Sequence, residues 1–113
     1  MVNNPRYPHY VQIFREKIDK DGNPVLNEEM NPVLDIVFES KCGDRSDGKD
    51  TSWRGEVITA DYKLSLPKHS FIIHRNDYVV FTNGINGEIV KGQVVKSKVN
   101  NLGANIWFNY SSN

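Results

Sequence analysis

The chain has 113 residues, a length typical of one domain (1–113), and its 14 basic residues balance 14 acidic ones. A zero formal net charge gives no overall attraction to nucleic acid or to a membrane surface, and no apolar run is long enough to span a bilayer. Cys42 is the single cysteine, which excludes an intrachain disulfide and favours a reducing compartment or indifference to redox state. The N-terminus lacks the apolar segment of a secretory signal, so we expect a soluble protein that stays in the cell that makes it.

The charge is unevenly distributed along the chain. Residues 1–50 carry a formal charge of −3 and residues 51–113 a formal charge of +3. This difference could arise by chance. It would also suit a subunit with unlike faces that contacts copies of itself head to tail.

The first predicted strand, HYVQIFREKI, runs into the segment DKDGNP (19–24). The spacing of Asp19, Asp21 and Asn23 suggests the start of a calcium loop. An EF-hand needs glycine at its sixth position and glutamate at its twelfth. Here the glycine is fourth and the twelfth residue is Met30. Asp-Gly between apolar runs is typical of a hairpin, so we interpret this segment as a turn.

A second strand is predicted over VLDIVFES, with Leu34, Ile36 and Phe38 on one side. It is followed by KCGDRSDGKDTSWR (41–54), which is polar and carries charges of both signs. We predict one long loop there. A loop of this length in a compact domain is usually functional or disordered.

The clearest alternation of apolar and polar residues lies in EVITADYKLSLP (56–67). It predicts a strand with one dry face and one wet face, ended by Pro67. The predicted dry face comprises Ile58, Ala60, Tyr62, Leu64 and Leu66.

Further strands are predicted to the end of the chain. FIIH and YVVFT flank a tight turn at 75–77, and a second glycine-rich turn at 83–87 precedes EIVKGQVVKSKV, where Gly92 indicates a bulge or bend. NLGAN (101–105) leads into the last strand, NIWFNY. The sequence therefore predicts an all-β domain, a small barrel or sandwich of six to seven mostly antiparallel strands with one long polar loop, and no internal repeats.

No catalytic motif accompanies this pattern. Cys42 has no neighbouring base in the sequence, the three histidines are scattered, and no nucleophile elbow or metal-binding spacing occurs. We therefore expect no enzymatic activity, no cofactor and no metal site. Asp44, Asp47 and Asp50 could gather a cation, but the basic residues interleaved with them favour a solvated loop.

A nucleic-acid-binding barrel of the OB or SH3-like type is the alternative function. Lys96 and Lys98 share one parity of their strand, and Trp107 and Tyr110 follow closely. Small barrels bind nucleic acid through basic grooves and stacking aromatic side chains. However, an aromatic residue in an apolar strand is more often core, and the balanced charge argues against affinity built on phosphate contacts.

The order of strands and turns resembles the head-tail joining, or head closure (stopper, connector), proteins of tailed bacteriophages. The matching segments are PHYVQIF (8–14), DKDGN (19–23), ADYKLSLP (60–67), NDYVVF (76–81) and GEIVKGQVV (87–95). The resemblance implies a small β-barrel that acts by binding, without catalysis. It also implies a homo-oligomeric ring, a dodecamer, between portal or adaptor and tail proteins in a virion assembled from chains made in the host cytoplasm.

In that family a loop from each subunit can reach into the channel and help retain packaged DNA, with non-specific DNA contact. By position, loop 41–54 is the candidate for this role. Trp53 and Arg54 would be interface anchors, since Trp and Arg are enriched at binding hot spots, although Trp53 could equally pack at the core edge. The expected interaction residues are Asp44, Arg45, Asp47, Lys49, Trp53, Arg54, Lys96 and Lys98.

Overall fold

The computed structural model describes residues 7–45, 51–53, 56–58, 60–101 and 103–111. Every regular element within these residues is a β-strand. The eight strands are β1 (His9–Glu16), β2 (Leu34–Asp44), β3 (Thr51–Trp53), β4 (Glu56–Ile58), β5 (Tyr62–Leu66), β6 (Tyr78–Thr82), β7 (Ile89–Val99) and β8 (Ala104–Tyr110).

Six of these strands close into a barrel in the order β1-β2-β5-β8-β7-β6, and β6 pairs back onto β1. All six pairings are antiparallel. The strands β3 and β4 form a separate two-stranded sheet. Closure gives each barrel strand a neighbour on both sides, and β2 meets β5 through Gly43 and Asp44 at its end. The all-β prediction is confirmed, and of its two alternatives the structure shows the barrel.

Alternate side chains point into the barrel and form its core. The predicted dry face is confirmed for β5, where Leu64 and Leu66 are buried and the Tyr62 ring stacks on Phe108 with centroids 5.0 Å apart. The core side chains are Val11, Ile13, Cys42, Leu64, Leu66, Ile73, Val79, Phe81, Val90, Val94, Ala104, Ile106 and Phe108.

The prediction of one continuous strand through EVITADYKLSLP is wrong. The chain leaves β4 at Ile58 and begins β5 at Tyr62. Between them, the Asp61 amide donates to Asn109 Oδ1 at 3.0 Å, and Asp61 Oδ2 accepts from the Tyr110 amide at 2.9 Å. These side-chain hydrogen bonds replace ladder pairing at the beginning of β5. The strand propensity of the sequence does not predict them, because their partners lie in β8.

A bulge in β2 corrects the predicted face of its apolar residues. Ile13 pairs with Phe38 but Phe14 pairs with Ile36, so Val37 is an extra residue. A bulge reverses the alternation of faces. Phe38 therefore lies on the same side as the buried Ile13, whereas Ile36 is on the outer surface and 49% exposed.

A second bulge lies in β7, at Val95 and not at Gly92 as predicted. The register shifts between Val94 and Lys96. Gly92 has a different role, because a Cβ there would overlap the Asn109 carbonyl oxygen and lie 2.7 Å from the Phe108 ring. Gly92 thus permits the close approach of β8 to β7.

The predicted strand FIIH is wrong, since residues 71–74 make no ladder. The segment is held by Asp77, whose carboxylate accepts two bonds from the Arg15 guanidinium, at 2.9 and 2.7 Å, and one from the His74 amide at 2.8 Å. The Asp77 hydrogen bond raises the pKa of Arg15. Asp77 is buried, so this bidentate pair is a charge-assisted clamp between β1 and the segment before β6. The turn predicted at 75–77 is confirmed for residues 75–76.

Residues 17–33, between β1 and β2, form an arm built from two similar turns. Asp19 Oδ1 accepts hydrogen bonds from the amides of Asp21 and Asn23, both at 2.9 Å, which confirms the turn predicted over DKDGN. Asn27 Oδ1 accepts in the same way from the amides two and four residues later, at 2.9 and 3.0 Å. The fourth residue of each turn has positive φ, 84° at Gly22 and 65° at Met30.

The two turns correspond to an internal repeat of eight residues, KIDKDGNP (17–24) and VLNEEMNP (25–32). The prediction that the chain lacks repeats is therefore wrong. The first residues of successive units, Lys17, Val25 and Val33, form a closed backbone triangle. Lys17 N donates to Val33 O at 2.8 Å, Val33 N to Val25 O at 2.9 Å, and Val25 N to Lys17 O at 2.9 Å. Local backbone bonds thus define the arm.

Candidate interaction surfaces

The predicted loop 41–54 is shorter than expected at both ends. Residues 41–44 complete β2, where Cys42 pairs with His9 and Gly43 with Ser65, and residues 51–53 form β3. Pairing with both β1 and β5 makes this end of β2 part of the barrel wall. A sequence rich in glycine and charge does not signal that role, because it depends on distant strands.

The candidate interaction residues of this loop have different positions. Asp44 and Arg45 are exposed at the end of β2, and the Arg45 amide donates to the Lys63 carbonyl at 2.7 Å. The backbone of Trp53 lies in β3, opposite Glu56. The other predicted members lie outside the described residues, as does the third aspartate of the cation hypothesis: Asp47, Lys49, Asp50 and Arg54.

Cys42 is fully buried in the core. Burial raises the pKa of its thiol to about 12, with a smaller contribution from the negative charge of Asp44. A thiol in this environment stays protonated at neutral pH and is a poor nucleophile. Cys42 therefore acts as a core side chain.

The histidines occupy separate structural positions. His9 Nδ1 accepts a hydrogen bond from the Gly84 amide at 2.9 Å and so anchors the glycine-rich turn after β6. That predicted turn is confirmed: Asn83 Oδ1 accepts from the Ile85 amide at 2.8 Å. The His69 ring packs on Phe38 with centroids 4.6 Å apart, and burial lowers the pKa of His69.

A basic surface covers the outside of β5, β8 and β7. Lys96 and Lys98 point outward after the β7 bulge and pair with Trp107 and Asn105, which confirms that they share a face. Lys63 reaches the same surface from β5, with Nζ 5.4 Å from the Trp107 ring centroid. We call Lys63, Lys96 and Lys98 the lysine face. Lys63 is not predicted from the sequence because its neighbours are set by the pairing of β5 with β8.

Trp107 lies on the outer side of β8 yet is only 4% exposed. Its indole Nε1 is buried without a hydrogen-bond partner among the described residues. The expectation that this aromatic residue is buried is confirmed, although Phe108 and not Trp107 points into the barrel. A covered ring offers no flat surface on which a nucleic-acid base could stack.

An apolar groove of about 540 Å³ runs across the outside of β1, β6 and β7. Phe14 pairs with Tyr78, and Val80 pairs with Lys91, so these side chains stand together on the outer surface. We call this the apolar groove. Its outward lining side chains are Phe14, Leu34, Tyr78, Val80, Lys91 and Gln93.

The sequence did not predict the groove. The alternation alone predicts Leu34 and Ile36 on the same side of β2 as Phe38. The bulge at Val37 moves Ile36 outward, beside Phe14. The register shift in β2 thus adds an exposed apolar side chain beside the groove, whose other walls come from β1, β6 and β7.

The arm carries acidic and apolar side chains at its surface. Its range contains four carboxylates and two lysines. Met30 is 72% exposed, between the exposed Glu28 and Glu29 on one side and Asn31 on the other. Ile18 and Leu26, at equivalent positions of the two repeats, are also exposed.

Among the described residues, no three His, Cys, Asp or Glu side chains come together as a metal ion would require. The described part of the chain also contains no helix with the length and hydropathy needed to cross a bilayer. Comparison with protein-family models, with curated proteins and with solved structures gives no match.

Proposed function

We propose that this chain is a structural subunit of a tailed-phage particle, a head-tail connector or head closure protein that forms a ring between portal and tail. The observation that supports this proposal is the presence of two unlike exposed surfaces on one closed barrel. One is the apolar groove, with Lys91 in its lining, and the other is the acidic arm. A heterologous ring requires each subunit to present two different surfaces, whereas a two-fold dimer uses the same surface twice.

The segment between β2 and β4 is proposed as the part that reaches the channel and helps retain DNA. Asp44 and Arg45 stand exposed where β2 ends, and β3 and β4 then pair with each other in a sheet separate from the barrel. A strand pair outside the barrel can be lengthened or altered without disturbing the core. Portal or adaptor and tail proteins are the partners in this proposal, and the virion is the location.

Inactivation of the gene in the phage that encodes this chain tests the proposal. We expect capsids that package DNA but lack tails and lose their DNA, as seen by electron microscopy and by nuclease sensitivity of the packaged genome. A sharper variant replaces residues 46–50 by glycine and serine in equal number. It should leave the far-ultraviolet circular dichroism unchanged and still fail to complement. Normal tailed particles without the chain would refute the proposal.

A nucleic-acid-binding module remains a second candidate because Lys63, Lys96 and Lys98 share one face of the barrel. If these lysines contact three phosphates, the slope of log K against log salt concentration is about −2.7 for duplex DNA. Light scattering of the protein with and without DNA would detect a discrete complex of the monomer that dissociates as salt rises.

A matched pair of triple variants sharpens that measurement. Changing Lys63, Lys96 and Lys98 to Gln should abolish DNA binding. The control variant changes three lysines elsewhere on the chain to Gln: Lys17, Lys20 and Lys68. It alters the net charge by the same amount and should preserve DNA binding. Equal loss in both variants would show non-specific attraction and would count against a dedicated nucleic-acid face.

A further inference from the structure

Met30 has a backbone conformation that is adopted by a glycine at the equivalent position of the first repeat unit. Met30 has φ 65° and Gly22, the equivalent residue of the first unit, has φ 84°. In the left-handed region an L side chain is strained and glycine is not. The Met30 side chain is 72% exposed, so packing within the monomer does little to offset this strain. Strained residues cluster at functional sites, which makes Met30 a candidate for a contact outside the monomer.

The turn that carries Met30 is fixed before any contact forms. The amides of Glu29 and Asn31 both donate to Asn27 Oδ1, and the Met30 amide donates to the Asn27 carbonyl at 3.0 Å. A preorganised turn loses little conformational entropy on binding. Methionine is flexible and fills irregular apolar cavities well.

The apolar groove has the complementary character. Phe14, Tyr78 and Val80 provide apolar walls, and Lys91 provides a positive charge beside them. The exposed carboxylates of Glu28 and Glu29 precede Met30 directly. An apolar side chain next to two negative charges thus matches an apolar groove next to a positive charge.

We propose that the Met30 turn of one copy docks into the apolar groove of the next copy, with Glu28 or Glu29 against Lys91. This inference deepens the proposed function, on which it rests, by naming the contact that joins neighbouring subunits. The exposure of Met30 shows that the turn does not fill the groove of its own chain. When each copy docks its turn into one neighbour and receives the turn of another, the contact runs head to tail and can close into a ring. Each contact is small, and ring closure strengthens it through effective concentration.

Paramagnetic relaxation between copies tests the contact at millimolar concentration, where weak association is detectable. A spin label on Asn31→Cys leaves Met30 and both glutamates in place. The native Cys42 is buried and its thiol is protonated, so the label attaches to the introduced cysteine. The spin-labelled protein is mixed with ¹⁵N-labelled protein that carries no spin label. In the ¹⁵N-labelled protein, the amide resonances of Val80, Lys91 and Gln93 should broaden.

A label on Ile85→Cys is the control. Ile85 is 80% exposed in the turn that contacts the start of β1, whereas the arm follows the end of β1. We expect no groove broadening from this position. Absence of broadening from the Asn31 label, or broadening away from the groove, would overturn the docking proposal.

Met30→Gly removes the side chain and retains the turn geometry shown by Gly22. We expect loss of groove broadening with no decrease in thermal stability. Lys91→Glu should weaken the contact, and combining it with Glu28→Lys and Glu29→Lys should restore it. Retention of the broadening in Met30→Gly would also overturn the proposal.

Failure of this inference and failure of the proposed function give different results. If particles with the Met30→Gly chain assemble normally but particles without the chain lack tails, the docking contact is wrong and the connector function stands. If the amide resonances of the groove broaden but phage without the chain still form normal tailed particles, the copies associate and the connector function is wrong.

Discussion

The barrel and the arm are both made of antiparallel pairing, but different interactions hold them. The barrel is stabilised by side chains such as Ile13 and Phe108, which come from distant strands and are removed from water together. The arm exposes Ile18, Leu26 and Met30 and is held by backbone bonds and by Asp19 and Asn27. Structure in the barrel is therefore global and cooperative, whereas structure in the arm is local.

Because of this difference, the residues that stabilise the fold are largely distinct from those that are exposed for contact. The barrel buries its inward apolar side chains, and its outward ones, such as Phe14 and Val80 of the apolar groove, remain available to a partner. The arm obtains its shape from hydrogen bonds within eight-residue units, and its Ile18, Leu26 and Met30 side chains stay exposed. Regions that lack buried apolar contacts also open more easily, which amide hydrogen exchange can measure.

The largest expected effect is in the barrel core. Phe108→Ala should lower the free energy of unfolding by about 3–5 kcal/mol, because it removes a fully buried ring that stacks on Tyr62. Leu26→Ala in the arm should change it by about 0.5 kcal/mol or less. Urea denaturation followed by circular dichroism measures both. Similar losses in the two variants would show that the arm shares the hydrophobic core.

The next effect is at the clamp between β1 and the segment before β6. Asp77→Asn keeps the shape of the side chain but replaces the negatively charged carboxylate, whose oxygens accept hydrogen bonds from Arg15 and from the His74 amide. We expect a loss of about 2 kcal/mol, since hydrogen bonds to charged groups are strong and Asp77 is buried. A double-mutant cycle with Arg15→Gln should show coupling. Additive losses would contradict the clamp.

Asp19→Ala and Asn27→Ala test whether the arm is independent of the barrel. Each removes the oxygen that accepts two amide hydrogens in its turn. We expect a local loss of about 1 kcal/mol, seen as faster hydrogen exchange of the amides in that turn. Barrel amides such as that of Val11 should exchange at the wild-type rate. Faster exchange throughout the barrel would show that the two regions unfold together.

The smallest effect is at the strained position of the second repeat. Met30→Gly should stabilise the arm turn by about 0.5 kcal/mol, as relief of the left-handed strain outweighs the added backbone freedom. Gly22→Ala should destabilise the first turn by about 1 kcal/mol for the opposite reason. Exchange of the Asn31 and Asn23 amides reports the two changes. Equal hydrogen-exchange rates in the wild type, Met30→Gly and Gly22→Ala would mean that the positive φ at these positions carries no strain.

The sequence alone determined those features that depend on near neighbours. Alternation of apolar and polar residues predicted the all-β fold and the buried face of β5, and the Asp-Gly and Asn-Gly pairs predicted their turns. The repeat of the arm is likewise a local feature, since its two units are consecutive in the sequence. These signals are reliable because side-chain alternation and positive φ are properties of a few consecutive residues.

Tertiary structure decided what depends on register and on distant pairing. The bulge at Val95 turns Lys96 and Lys98 outward, and the apolar groove is brought together by the pairing of β1 with β6 and of β6 with β7. Likewise, the end of β2 pairs with both β1 and β5, although its sequence is typical of a loop. A bulge forms where packing with another strand favours an extra residue, and that preference is absent from local sequence.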